Sequence, residues 1–340
     1  MADQFATSFG VLEYSGMLFN KGNTLCPFST AIGGRAKTTN HVEFVVGQEY
    51  NTDTELKQPE ISETASLTAP DATVVTRKQT TNVTQIFMGA VGISYAKESN
   101  MGTLSGINIA NQSGNPINEL DFQVAAHMQQ IRNQIEYTFI NGVYAKATSD
   151  ATANKTRGMV SAITTNEIKM ASKELSVWDV ADMLKKIQDA HAPTSGLTLW
   201  VDGITRLQLN ASAIQNKMTI VPSDRTINGI NISTLVTPMG SIDLVSAQYF
   251  PKGTALVLNT GIIAPVYQPV PGKGNFFLEE LARTGAGRKF QLFGQLGLDY
   301  GAEWYHGKFT GLAETYTRPS NSTVAEQVAV AAAEQTESKK

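Results

Sequence analysis

The sequence predicts an α+β fold. Three observations carry that expectation: one long amphipathic helix over 118–141, a helix–strand–helix passage from Ser176 to Ile214, and β-type segments before and after them. The first forty residues hold turn signals at Phe19-Asn20-Lys21-Gly22-Asn23 and Ile32-Gly33-Gly34-Arg35 and no sustained period, so they read as an extended arm. Val42, Phe44 and Val46 then alternate with Glu43 and Val45 as a short strand. From Gly47 to Gln79 the chain turns polar. A β-prone run follows from Val83 to Tyr95, with Phe87, Val91, Ile93 and Tyr95 on one face. Two strands flanking a long polar excursion describe a protruding hairpin, and a lone hairpin buries too little apolar area to be stable in water. It folds back on its own domain, lies across another molecule, or stays a loose loop; loops longer than about 15 residues are uncommon unless functional or disordered.

The clearest element is the helix from Asn118 to Asn141. Leu120, Val124, Met128, Ile131, Ile135 and Phe139 recur at threes and fours, Asn118 caps the start with Asp121 in the first turn, and Gly142 stops it. At 1.5 Å per residue it spans on the order of 35 Å, enough to cross a domain. His127 and Glu136 on this helix lie too far apart for a site and read as ordinary solvated or core-edge polar residues.

A basic, Thr-containing connector, Asn154-Lys155-Thr156-Arg157-Gly158, leads to a helix opened by a Ser176-x-x-Asp179 capping box, with Val177, Val180, Leu184 and Ile187 on one face and Pro193 beyond its end. Leu197 to Val201 reads as a buried strand and Ile204 to Ile214 as a helix. From Thr219 onward strands dominate: Ile230 to Val236, Ile242 to Val245 and Ala255 to Leu258, punctuated by Pro238-Met239-Gly240 and Pro251-Lys252-Gly253. The Pro/Gly-rich passage from Pro265 to Gly274 marks a return between sub-domains. Leu292, Leu296, Leu298, Tyr300, Ala302 and Trp304 then alternate over one long closing strand, and the tail beyond Arg318 reads as disordered or weakly helical.

Composition narrows the function. Charged residues make up 17% of the 340, against a typical share of about 25%, and depletion of charge is what the buried centre of a subunit interface shows. A net charge of −3 argues against specific nucleic-acid recognition, which needs clustered Lys and Arg. Met1 to Gly10 has neither the basic start nor the apolar core of a signal peptide, and no stretch approaches the roughly 18 apolar residues of a membrane span. Cys26 is the sole cysteine, so an internal disulfide is excluded and a reducing cytoplasm fits.

Searches for chemistry return nothing specific. Gly272-Lys273-Gly274 has Tyr267 where a phosphate loop needs its first glycine, and Gly285-Ala286-Gly287-Arg288 lacks the lysine and hydroxyl. His41, His127, His191 and His306 form no metal-ligand pair, and no G-x-S-x-G elbow occurs. Glu279-Glu280 and Asp299 with Glu303 count as surface charge. No residue is put forward as catalytic, cofactor-binding or metal-ligating, no cofactor is expected, and the chain is not expected to be an enzyme.

Several stretches carry a family resemblance: Cys26-Pro27-Phe28, Ala31-Ile32-Gly33, His41-Val42-Glu43-Phe44, Asn82-Val83-Thr84-Gln85-Ile86-Phe87, Asn141-Gly142, Thr156-Arg157-Gly158-Met159 and Leu281-Ala282-Arg283-Thr284-Gly285. In order and spacing over roughly residues 10 to 312 they resemble the SU-ten-type major capsid proteins of tailed bacteriophages, which have the Hong Kong 97 fold. The resemblance implies an N-terminal arm (1–41), an extended loop with its base strands (42–100), a peripheral domain with the spine helix 118–141 (101–195), an axial domain (196–270), a return to the peripheral domain (271–316) and a flexible tail (317–340). It also implies a homo-oligomer of hexamers and pentamers, in an icosahedral or prolate shell around double-stranded DNA contacted non-specifically. Portal and scaffolding or cement proteins would be partners, no membrane would be involved, and assembly would take place in the bacterial host cytoplasm, leaving the chain in the virion. In departure from the prototype, no separate scaffolding domain is expected before the arm. An encapsulin-like compartment and a phage tail structural protein are the alternatives.

Overall fold

The computed structural model describes residues 25–50, 58, 60–69, 72, 74–95, 119–216, 220–227 and 230–318. The expectations for the first 24 residues, for the cap at Asn118 and for the tail beyond Arg318 lie outside the described residues.

Two sheets and a two-stranded ribbon organise the chain. In the first sheet the long strand β13 (Gly287–Asp299) pairs along its length with β4 (Gln85–Ser94), while β12 (Phe276–Glu280) and β11 (Ala264–Tyr267) share its other side. The two-residue β1 (Lys37–Thr38) adds a parallel edge to β11. The second sheet has seven strands in the order β5 (Glu167–Lys169), β14 (Gly307–Thr310), β10 (Thr254–Leu258), β6 (Thr198–Val201), β9 (Gly240–Ser246), β8 (Ile230–Thr237) and β7 (Ile220–Ile227). The ribbon is β2 (Glu43–Tyr50) with β3 (Arg77–Val83).

The helices form where periodicity and caps require them. α3 (Glu119–Asn141) lays Ile131 and Phe139 onto the first sheet, where Ile131 meets Gly89 of β4. After the single turn α4 (Met159–Ala162), α5 (Val177–Asp189) starts at the expected box: the Ser176 hydroxyl accepts from Asp179 N–H and the Asp179 carboxylate from Ser176 N–H. α6 (Gly203–Gln215) starts at Asp202, which accepts from Thr205 N–H. Val177, Val180, Leu184 and Ile187 are fully or nearly fully buried against the second sheet, and each such burial stabilises by about 1.5–3 kcal/mol relative to exposure. Both faces of that sheet are covered at its centre. Leu199 and Val201 of β6 face α5 and α6, whereas Trp200 faces the other core, where Phe28 meets it edge-on at 5.4 Å. Two-sided burial is why Ala255 to Leu258 reads as a continuous apolar run and not as an alternation.

Five sequence expectations are corrected. The arm is not wholly extended, because Pro27–Gly33 forms a helix, α1, with Pro27 in its first turn and Phe28 and Ile32 buried one turn apart. The strand returning along the ribbon is Arg77–Val83, which starts inside the stretch read as a polar excursion and ends at the first residue of the run read as β-prone. The β-prone run that follows, β4, pairs with β13 and not with β2; Phe87, Val91 and Ile93 are buried there, while Tyr95 is exposed. The closing strand stops at Asp299: Gly301 takes φ +64°, a 3-10 turn covers Glu303–Tyr305, and β14 crosses into the second sheet. Finally, Glu136 is not solvated but fully buried.

Candidate assembly interface

The ribbon has a built base and an uncovered tip. At the base, Val46 is buried beside a register shift between Val45 and Gly47, and Phe44 closes over Gly297, where even a Cβ would stand 2.8 Å from its ring. Lys146 holds Glu43 at 2.5 Å, and Glu43 also accepts from the Thr81 hydroxyl at 2.8 Å; the ammonium keeps that carboxyl below the usual range. Towards the tip Tyr50, Val74 and Val75 are exposed. A one-turn helix, α2 (Glu63–Ser66), capped by Ser62, is flanked by Ile61 at 72% and Leu67 at 85% exposure. No other strand pairs with this ribbon among the described residues.

The base is locked by a buried polar junction. Asn82, fully buried, donates through Nδ2 to Leu298 O at 2.7 Å and Arg157 O at 3.2 Å, and its Oδ1 accepts from Arg157 N–H at 2.8 Å and Val83 N–H at 2.9 Å. Thr156, also fully buried, accepts from Leu298 N–H and donates its own N–H to Gln85 Oε1. One asparagine thereby joins ribbon, long strand and connector, which satisfies four polar groups that burial would otherwise penalise. Two glycines let the connector come close. A Cβ on Gly142 would lie 2.5 Å from Thr138 O, and one on Gly158 2.5 Å from Gly142 N, while Gly158 N–H donates to Gly142 O at 2.9 Å. Arg157 then stacks over Tyr144 at 4.7 Å and donates to the Tyr300 hydroxyl at 3.3 Å.

Two further buried groups set the geometry. Glu136 of α3 accepts the N–H groups of Phe28 at 2.8 Å and Ser29 at 2.7 Å, so α3 caps α1, whose own N-cap residue Cys26 supplies no side-chain cap. Burial pushes the Glu136 carboxyl up, against the opposing bonds from Ser29 and Phe28 and the charge of Arg132. At the crossover between sheets, His306 is fully buried, with Nδ1 accepting from Asn259 N–H at 3.1 Å and Nε2 facing Tyr300 O at 2.8 Å. That pairing assigns the neutral Nε2–H tautomer. Burial pushes its pKa down to about 4. Nearby, burial would raise the Glu303 carboxyl, but bonds from Thr164 and Thr165 outweigh it and hold it below the usual range.

No curated protein matches the chain. The family model described as the SU10 major capsid protein matches residues 1–313. The chain belongs to the SU10 major capsid protein family. Among solved structures, the cyanophage A-1(L) capsid asymmetric unit is similar with a TM-score of 0.62 and 12% identity, over 88% of this chain and 97% of that one. The capsid of Myoviridae phage XM1 matches with a TM-score of 0.54 and 9% identity, over 88% and 96%. The SrpI encapsulin complex from Synechococcus elongatus PCC 7942 matches at 0.57 and 10%, over 84% and 88%. These likenesses show the Hong Kong 97 fold and no more.

In this major capsid protein family member the family-like stretches, scattered in sequence, converge on structural junctions. Asn82 and Gln85, Asn141-Gly142 and Thr156-Arg157-Gly158 meet at the ribbon base, and Cys26-Pro27-Phe28 meets Glu136. Of the carboxylates read as surface charge, Glu279 and Glu280 do lie at the surface, paired with Lys273 at 2.7 Å and Arg288 at 3.2 Å, whereas Asp299 is buried and takes Lys37 at 2.6 Å. His127 stands beside Gly89, whereas Glu136 caps α1, so these two do not form a site. Among the described residues no group of three or more His, Cys, Asp or Glu side chains could hold a metal, and no helix is long and apolar enough to cross a membrane. Sequence reasoning missed Asn82, Glu136 and His306. The one local signal was Ile140 four residues after Glu136, which puts a second apolar position on that helix face.

Proposed function

We propose that the chain is the shell-forming subunit of a tailed-phage head, self-assembling into pentamers and hexamers around double-stranded DNA, and that each ribbon is stabilised by lying on an adjoining copy. The observation that carries this is the uncovered tip: Tyr50, Ile61, Leu67, Val74 and Val75 are exposed on a two-stranded element that cannot bury them itself. A contact of one subunit's ribbon with a different surface of the next is heterologous, and such contacts form rings when the rotation between copies closes. Many modest contacts per subunit add up to a stable shell while each stays reversible. In this reading residues 1–41 are the arm, 42–100 the extended loop, 101–195 and 271–316 the peripheral part, 196–270 the axial part and 317–340 a flexible tail. Portal and scaffolding or cement proteins are partners, DNA is contacted non-specifically, assembly occurs in the host cytoplasm, and the role is structural and not enzymatic.

Deleting Thr54 to Ala69 tests it. The deleted subunit is expected to keep its urea midpoint and to form no shells by electron microscopy; normal particles from it would overturn the ribbon's role. The likeness to an encapsulin favours a second reading, a cargo shell without a genome. Nuclease-protected DNA inside purified particles supports the phage reading, and its absence the other.

A further inference from the structure

An open groove of about 700 Å³ runs between β4 and the spine helix α3. Ile86 and Met88 form one wall, Gln130, Gln134 and Tyr137 the other, and Tyr249 stands at one end, 6.4 Å from Tyr137 ring to ring. Its apolar side chains lie open: Ile86 is 56% exposed, Met88 60% and Tyr137 55%. Side-chain amides between exposed apolar groups make a surface suited to an extended peptide, whose backbone they can hydrogen-bond while its side chains cover the hydrophobes.

The described chain begins at the edge of this groove. Cys26 Sγ lies 3.4 Å from Asn133 Oδ1, and Asn133 is itself a groove residue. Because Glu136 clamps Phe28 and Ser29 to the same helix, the point from which the preceding residues leave is fixed beside the groove. Those residues, 1–24, hold three charged side chains, Asp3, Glu13 and Lys21, but four aromatics, Phe5, Phe9, Tyr14 and Phe19, together with Val11, Leu12, Met17 and Leu18. Such a segment carries apolar surface that favours leaving water. Reach is ample. Gln130 to Thr138 spans about 12 Å of helix, whereas the seven residues from Phe19 to Cys26 extend to about 25 Å.

We infer that the groove is a docking site for this chain's own N-terminal segment, with Met17, Leu18 and Phe19 covering Ile86, Met88 and Tyr137. The ribbon would then be the element that seeks a neighbour, and this groove would be filled before assembly starts.

Hydroxyl-radical footprinting of Met88 and Tyr137 in unassembled subunits tests the inference. The full chain is expected to protect both several-fold relative to a chain lacking residues 1–24, independently of subunit concentration, and a synthetic peptide of residues 1–24 is expected to restore protection. Full-length L18D/F19D, which retains the arm helix, is expected to lose protection while keeping its far-ultraviolet circular dichroism. Equal reactivity of full and shortened chains would overturn the inference. So would protection that rises with concentration, or that appears only in shells, since a second copy would then fill the groove. Because unassembled subunits are measured, failure here leaves the shell-forming role untouched.

Discussion

The two ends of the β2–β3 ribbon are built on opposite rules. At the base, Phe44, Val46, Asn82 and Val83 are packed or fully hydrogen-bonded within the subunit, whereas towards the tip Tyr50, Leu67 and Val74 stand in water. Local pairing is similar at both, since the antiparallel register runs from Glu43↔Val83 to Tyr50↔Arg77. What differs is the surroundings. The base meets β13 and the connector after α3, which supply partners for its polar groups, whereas among the described residues no further strand pairs with the tip. The base therefore contributes to the stability of the subunit, and the tip is free to contribute to contact between subunits.

The sharpest way to break this comparison is at Asn82. Asn82→Leu leaves Leu298 O, Arg157 O and Arg157 N–H buried without their partner, and is expected to cost about 3–5 kcal/mol, read as a lowered urea midpoint. An unchanged midpoint would mean the base does not hold the subunit together. Next in size is the pH dependence of the crossover. His306 is neutral in the folded chain with its pKa near 4, against 6.5 for a free imidazole. Between those values the unfolded chain binds a proton that the folded chain does not. Stability is thus fully present above pH 6.5 and is lost as pH falls towards 4, by roughly 3 kcal/mol at about 1.4 kcal/mol per unit. Urea midpoints of the parent and His306→Gln across that range check it, and the variant should lack this share of the slope. The smallest effect on the subunit is expected at the tip. Tyr50→Ser with Leu67→Ser should change subunit stability by no more than about 0.5 kcal/mol, yet reduce the yield of shells in light scattering. A loss of stability comparable with that of Asn82→Leu would show that the tip packs on its own body.

Legibility followed periodicity. The helices at Glu119–Asn141, Val177–Asp189 and Gly203–Gln215 were readable from their apolar residues, the second also from its cap Ser176, whereas the cap Asp202 of the third emerged only in the structure. β3 was not. Arg77-Lys78-Gln79-Thr80-Thr81-Asn82-Val83 is polar on both faces for most of its length, because it pairs with β2 where no core lies beneath. α1 is too short to show a period, and its cap comes from Glu136, more than one hundred positions away. Glu136 and His306 looked like ordinary polar residues, since burial is decided by which elements close over a side chain and not by its neighbours in sequence.

The sequence alone determined the three long helices, about half of the strands, the shortage of charge and the absence of recognisable catalytic motifs, all of which are local patterns or sums over the chain. Only the tertiary structure decided that the ribbon returns through Arg77–Val83, that Asn82 joins three elements, that a carboxylate of the spine helix caps the arm, and that the last strand crosses into the second sheet at His306. The reason is physical: hydrogen bonds and burial depend on which groups meet in space, and the groups that meet here are separated by up to 262 positions in the chain, as for Lys37 and Asp299.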